Sequence, residues 1–171
     1  MKTKITKFDA AVRQLNTAIA MWFRDEDLIA VHTLAAASHQ IVHDIVKKRG
    51  GPDLIFNSLT VKDEYRKEYV DIMKKPQNFF KHADKDQDGE IDFHHVIPEI
   101  FIMMTLVGLE FLKIPYDAHR AAFSHWFMIH HPEILTEKGR LQHSKLPSGT
   151  ADFIRSTPKS FFLAAYLKAH K

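Results

Sequence analysis

Apolar residues recur at helical spacing along most of this chain and almost nowhere alternate with polar ones. Phe8, Val12, Leu15, Ile19 and Trp22 fall on one face of a helix that Thr6 opens as a cap, with the acid Asp9 three residues on. Asp25 to Asp27 place acids where the dipole of a second helix favours them, and Lys47-Lys48-Arg49-Gly50-Gly51-Pro52 closes it. A loop is expected over residues 53 to 60 and a charged helix over 62 to 73, with Pro76 in the first turn of another short helix. Pro98 opens a long apolar helix reaching about Lys113. Asp117 begins a further helix that ends near His131-Pro132, and Thr157-Pro158 caps a last one through about Lys168.

About six helical segments predict an all-α, single-domain bundle over residues 1 to 171. An Asp/Gly turn and a short extended segment interrupt it near residues 84 to 93, and residues 136 to 157 read as a surface loop before the C-terminal helix. Phe101, Met103, Met104, Leu106, Phe111, Phe123, Trp126 and Phe127 are the expected core.

Composition narrows the function classes. The 171 residues include no cysteine, which excludes disulfides and thiolate metal sites and suits a reducing cytoplasm. No apolar run follows the basic residues at the N-terminus, so no secretory signal is expected there. The longest apolar run, Ile100 to Leu109, is about half of what a bilayer crossing requires, and no membrane partner is expected. A formal charge of +3 permits nucleic-acid binding without implying it. No glycine-rich phosphate loop, Gly-x-Ser-x-Gly elbow or His-Glu-x-x-His pair is present.

Three groups of residues carry chemistry. The first is Asn78-Phe79-Phe80-Lys81-His82, where a histidine near a helix end can move a proton near neutral pH. Asn78 lies one turn earlier on the same face, and Lys81 supplies charge for a phosphate. The second is Asp84-Lys85-Asp86-Gln87-Asp88-Gly89-Glu90-Ile91-Asp92, which follows the ligand pattern of a calcium loop. His95 stands at its twelfth position, where a bidentate glutamate belongs, so Asp84, Asp86, Asp88, Glu90 and Asp92 read either as a weak Ca2+ site or as an Asp/Gly turn. The third is the face formed by His32, His39 and His43, whose last two members have a spacing that can chelate a transition metal. The alternative is a buried, hydrogen-bonded His32 with the other two at an interface or surface.

The run from Val31 to Val46 with Gly50, followed by Asn78-Phe79-Phe80-Lys81-His82-Ala83-Asp84, resembles the HEPN (higher eukaryotes and prokaryotes nucleotide-binding) superfamily over roughly residues 8 to 113. The resemblance implies an all-α domain that binds RNA or a nucleotide. It also implies a metal-independent ribonuclease without a cofactor, whose site forms across a homodimer. Asn78, Lys81 and His82 would be its site residues. No arginine precedes His82 at the family's spacing, and the upstream basic position is Lys75. Lysine lacks the planar fork that grips a phosphate through two bonds, so the implied ribonuclease is degenerate. Binding of RNA or a nucleotide, a non-enzymatic dimerising module and a metal-binding protein remain as the three readings.

Overall fold

A computed structural model describes residues 2–54, 63–84, 86–134, 137 and 146–170. Among these residues the chain is all-α, with seven α-helices, one short 3-10 turn and no strand. The helices are α1 (Lys7–Phe23), α2 (Leu28–Lys48), α3 (Asp63–Phe79), α4 (Val96–Phe111), α5 (Ala118–His130), α6 (Thr150–Ser156) and α7 (Lys159–Ala169). The 3-10 turn, Pro132–Ile134, follows α5. Most of the loop expected between α2 and α3, and residues 135–136 and 138–145 of the loop expected before the last helix, lie outside the described residues.

Local chemistry sets the helix ends. The Thr6 hydroxyl accepts from the Asp9 amide at 3.0 Å while Asp9 Oδ2 accepts from the Thr6 amide at 3.1 Å, a complete capping box. Asp27 and Asp117 cap α2 and α5 in the same sense, accepting from the amides of Ala30 and Arg120. At the other end of α2, the Gly50 amide donates to Lys47 and the Gly51 amide to Val46. Gly50 adopts φ +75°, so this is a Schellman turn built on the residue type that tolerates it. Equivalent turns end α1 and α4 with Asp25 at φ +53° and Lys113 at φ +58°.

The apolar faces explain the packing. The short link after α1 folds α2 back along it, and α4 lies against α2. Gly108 permits that approach, because a Cβ there would lie 2.6 Å from Val42 Cγ1 and 2.8 Å from Leu54 Cδ1. At the centre, the Trp22 ring meets Phe123 edge-on at 5.0 Å and Trp126 at 4.3 Å, joining α1 to α5. Ser38 donates to the Ala11 carbonyl at 2.7 Å, and Arg120 donates to Asn16 Oδ1 at 2.9 Å, so the buried polar groups at these crossings are paired. α6 and α7 cover α5, with Phe162 as the buried anchor.

Three expectations change. Phe101, Leu106, Phe123, Trp126 and Phe127 are buried and Met103 and Met104 half-buried against them, but Phe111 is 42% exposed because it is the last residue of α4 and lies over the Gly51 turn. Pro76 is inside α3, not at the start of a new helix. Its missing N–H leaves the carbonyl of Ile72 without its helical donor, yet the winding runs on through Phe80, whose amide donates to the Pro76 carbonyl. Residues 150–156, expected as loop, form the short helix α6 without a buried residue.

Candidate functional site

The winding of α3 continues past its last residue. The Asn78 carbonyl accepts from the amides of Lys81 at 3.2 Å and His82 at 3.1 Å, and the Pro76 carbonyl accepts from Phe80 at 3.0 Å. This extra turn keeps Asn78 and His82 on one side. Both are exposed, and both line an open groove of about 510 Å³ with Asp71, Lys74, Lys75, Phe79, Asp84 and Asp86.

The groove has two characters. Phe79 gives it a half-buried aromatic wall, and Lys74 and Lys75 bring ammonium groups. Asp71, Asp84 and Asp86 bring carboxylates, so the charge is mixed and not uniformly basic. Lys81 does not line the groove. Its charge acts instead on His32 beneath, adding to the burial that lowers that histidine from 6.5 to about 4.

The acidic loop is open to solvent: Asp84, Asp86, Asp88, Glu90 and Asp92 are all exposed. The Asp86 carboxylate folds into the space that a side chain at Gly89 would fill, which explains the glycine by a local turn. Asp84 and Asp86 reach the α3 groove, whereas Asp88, Glu90 and Asp92 do not line it. Among the described residues, no three His, Asp or Glu side chains stand gathered as a ready cation site.

The histidine face of α2 turns inward along its whole length. His32, His39 and His43 are 0%, 2% and 8% exposed. His32 has no hydrogen-bond partner on either ring nitrogen and is held edge-on among Phe80, Phe93 and Phe101, at ring separations of 5.6, 5.2 and 5.3 Å. The expectation of a hydrogen-bonded His32 with its two neighbours at the surface is therefore corrected. These rings also tie the irregular segment before α4 to the bundle, since Phe93 anchors it through His32 and Phe80.

A second polar cluster has no counterpart among the sequence candidates. Glu99, in the first turn of α4, accepts from the Trp22 indole N–H at 3.3 Å, and its other oxygen lies 2.8 Å from His131 Nε2. Glu133 approaches the far nitrogen of the same imidazole at 3.5 Å. His130 stacks on Trp126 at 3.6 Å and pairs with the Trp126 carbonyl through Nδ1. The hydrogen bond that His131 donates to Glu99 raises the histidine above its ordinary value, against the opposing effect of burial. Adjacent histidines were visible in the sequence, but Glu99 lies 32 residues away from its partner and no spacing rule connects them. The cluster joins α1, α4 and the end of α5, and its acid is spent on the indole and the imidazole.

No protein-family model matches this chain, and neither a curated protein nor a solved structure is similar to it.

Proposed function

We propose that the α3 groove binds a nucleotide or a short stretch of single-stranded RNA. The observation that supports this reading most is that Asn78 and His82, one helical turn apart, open onto the same groove as Phe79 and Lys75. Each matches a part of the ligand. An aromatic wall stacks an unpaired base, and carboxylates accept from exocyclic amino groups. Lys75 and His82 neutralise or hydrogen-bond a phosphate, and Asn78 orients it. The three carboxylates disfavour a long phosphate backbone, which restricts the ligand to a short one. Asn78 and His82 are retained from the HEPN-like motif, while Lys75 takes the phosphate role in place of Lys81. The forked guanidinium is missing, so the reading is of binding, with His82 as the group able to move a proton from a ribose 2′-hydroxyl.

Fluorescence anisotropy with a labelled single-stranded oligoribonucleotide in EDTA tests it. Binding weakened by about tenfold or more in Asn78→Ala and His82→Ala is expected, equivalent to about 1.4 kcal/mol. Both positions are exposed, so neither change threatens the fold. Affinity equal in wild type and both variants, or binding only with a divalent cation added, rejects the reading.

A second reading is favoured by α6 and α7. Phe153 and Phe161 are 64% and 59% exposed beside an apolar groove of about 250 Å³ lined by Ile154, Phe162 and Tyr166. Apolar surface of this kind suits a dimerising module. Sedimentation that shows a dimer, dissociated by Phe161→Asp, would support that reading, and a monomer at all concentrations would remove it.

A further inference from the structure

The side of α3 that faces away from its groove is held to the bundle by a short stripe. Met73 and Pro76 on it are buried and Tyr69 and Phe80 half-buried, at the spacing that puts them on one face. The half beyond Pro76 is the weaker one, because the Ile72 carbonyl has no helical donor and Phe80 is the last inward residue. Among the described residues from Lys81 to His95 none is buried. That stretch returns to the bundle through the half-buried Phe93, whose ring meets those of Phe80 and His32 at 5.2 Å each.

Both attachments end on one residue of α2. His32 is 0% exposed and stands among Phe80, Phe93 and Phe101 with interplanar angles between 71° and 80°. A neutral imidazole fits such a cage as another aromatic ring would. We propose that His32 is a proton-operated latch: its neutral ring holds the end of α3 and the segment before α4 on the bundle, and its protonation releases both while α1, α2 and α4 stay packed.

The surroundings of the ring decide the sign. Neither nitrogen has a hydrogen-bond partner, so an imidazolium would bury two unpaired N–H groups. Phenyl faces attract a cation, but weakly beside a lost acceptor. The turn after α3 brings Lys81, whose charge repels it. The segment before α4 brings Asp92 and His94, exposed on either side of Phe93. On α4 the acid of the first turn, Glu99, is engaged with Trp22 and His131, and on α2 the next histidine, His39, is itself kept neutral by burial. The buried residues of α1 are all apolar.

Release is local because the walls of the cage are unequal. Phe101 belongs to a helix buried against α2 along most of its length, whereas Phe80 and Phe93 belong to a stretch with little else inside. Opened, the ring takes its ordinary value of 6.5; closed, burial and then Lys81 lower it to about 4. The closed form is therefore fully favoured above 6.5, and the open form gains tenfold with each pH unit below it, down to about 4. Asn78 and His82 ride on the released winding, so opening takes the groove apart. The latch stands whatever the groove binds, and its test uses no RNA.

Hydrogen exchange of the full chain, followed by mass spectrometry from pH 7 to pH 4.5 and corrected for the intrinsic rate at each pH, reads the opening. Protection over residues 77–84, which include the bonded amides of Phe80, Lys81 and His82, is expected to fall about tenfold per pH unit below 6.5. Peptides from α1 and α4 are expected to keep theirs. In His32→Phe, whose phenyl ring fills the cage without titrating, protection over 77–84 is expected not to vary with pH. Phe93→Ala, at a half-buried position, is expected to lower it already at pH 7 with α1 unchanged, which keeps the test decisive should His32→Phe fail to fold. Protection over 77–84 that is constant with pH in the wild type, that falls together with that of α1 and α4, or that falls as steeply in His32→Phe overturns the proposal. So does unchanged protection at pH 7 in Phe93→Ala.

Discussion

His131 Nε2 lies 2.8 Å from Glu99 Oε2, an imidazole–carboxylate pair whose side chains are 20% and 12% exposed. The pair fastens the end of α5 to the start of α4, and the same carboxylate accepts from the indole of Trp22 on α1. The proton on His131 is held by this contact, so the joint between three helices depends on pH.

Stability is expected to peak near pH 6.5, the ordinary histidine value, and to fall on either side. On the alkaline side the cause is His131. Its folded-state value is raised, so its contribution is complete below 6.5 and is lost as pH rises through the folded value. On the acid side the causes are His32, which burial and then the Lys81 charge lower to about 4, and His39, which burial and then the His43 charge lower to about 3. Between 6.5 and these values the unfolded chain takes up protons at both positions that the folded chain refuses, and each pH unit crossed costs about 1.4 kcal/mol per histidine. Melting temperatures recorded across pH check both limbs. His131→Gln should flatten the alkaline limb alone, and His32→Phe should make the acid limb shallower, leaving the part that His39 contributes.

Gly108 sets how closely α4 approaches α2. Gly108→Ala is expected to destabilise the fold by about 1–3 kcal/mol despite the better helix propensity of alanine, because Val42 Cγ1 stands 2.6 Å from the new methyl and Leu54 Cδ1 2.8 Å from it. Urea unfolding of the variant measures this. A gain in stability would mean that α2 and α4 are separated more widely than these distances require.

Lys113 holds a left-handed conformation at φ +58°, in a turn where glycine is the usual occupant. The penalty for a residue with a Cβ is roughly 1–2 kcal/mol, partly offset in a substitution by the greater freedom of unfolded glycine. Lys113→Gly is therefore expected to raise stability by up to about 1 kcal/mol, read as a higher urea midpoint with an unchanged slope.

What the sequence made legible was what neighbours along the chain decide. Thr6 with Asp9, Asp117 before α5 and the basic-glycine end of α2 are contacts within a few residues, and each could be read from spacing. The pairing of Asn78 with His82 on one side of a helical turn was legible for the same reason. Features made by distant segments were not. Asp53 meets His43 only because the turn after α2 folds back, and Glu99 meets His131 only because α4 and α5 end at the same corner. The position of Lys81 next to His82 points to a phosphate contact, but successive helical residues point in different directions, and Lys81 falls outside the groove. Pro76 reads as a helix start because proline favours first turns, but the helix runs through it.

The imidazole of His82 is the most direct reporter of the groove. Ring-proton NMR of the histidines during titration with a single-stranded oligoribonucleotide in EDTA should shift the His82 signal, identified by its loss in His82→Gln. The signals of the buried His32 and His39 should stay in place. A His82 resonance that does not move while the RNA is bound, or that moves no more than those of His32 and His39, contradicts the assignment of the groove as the binding surface.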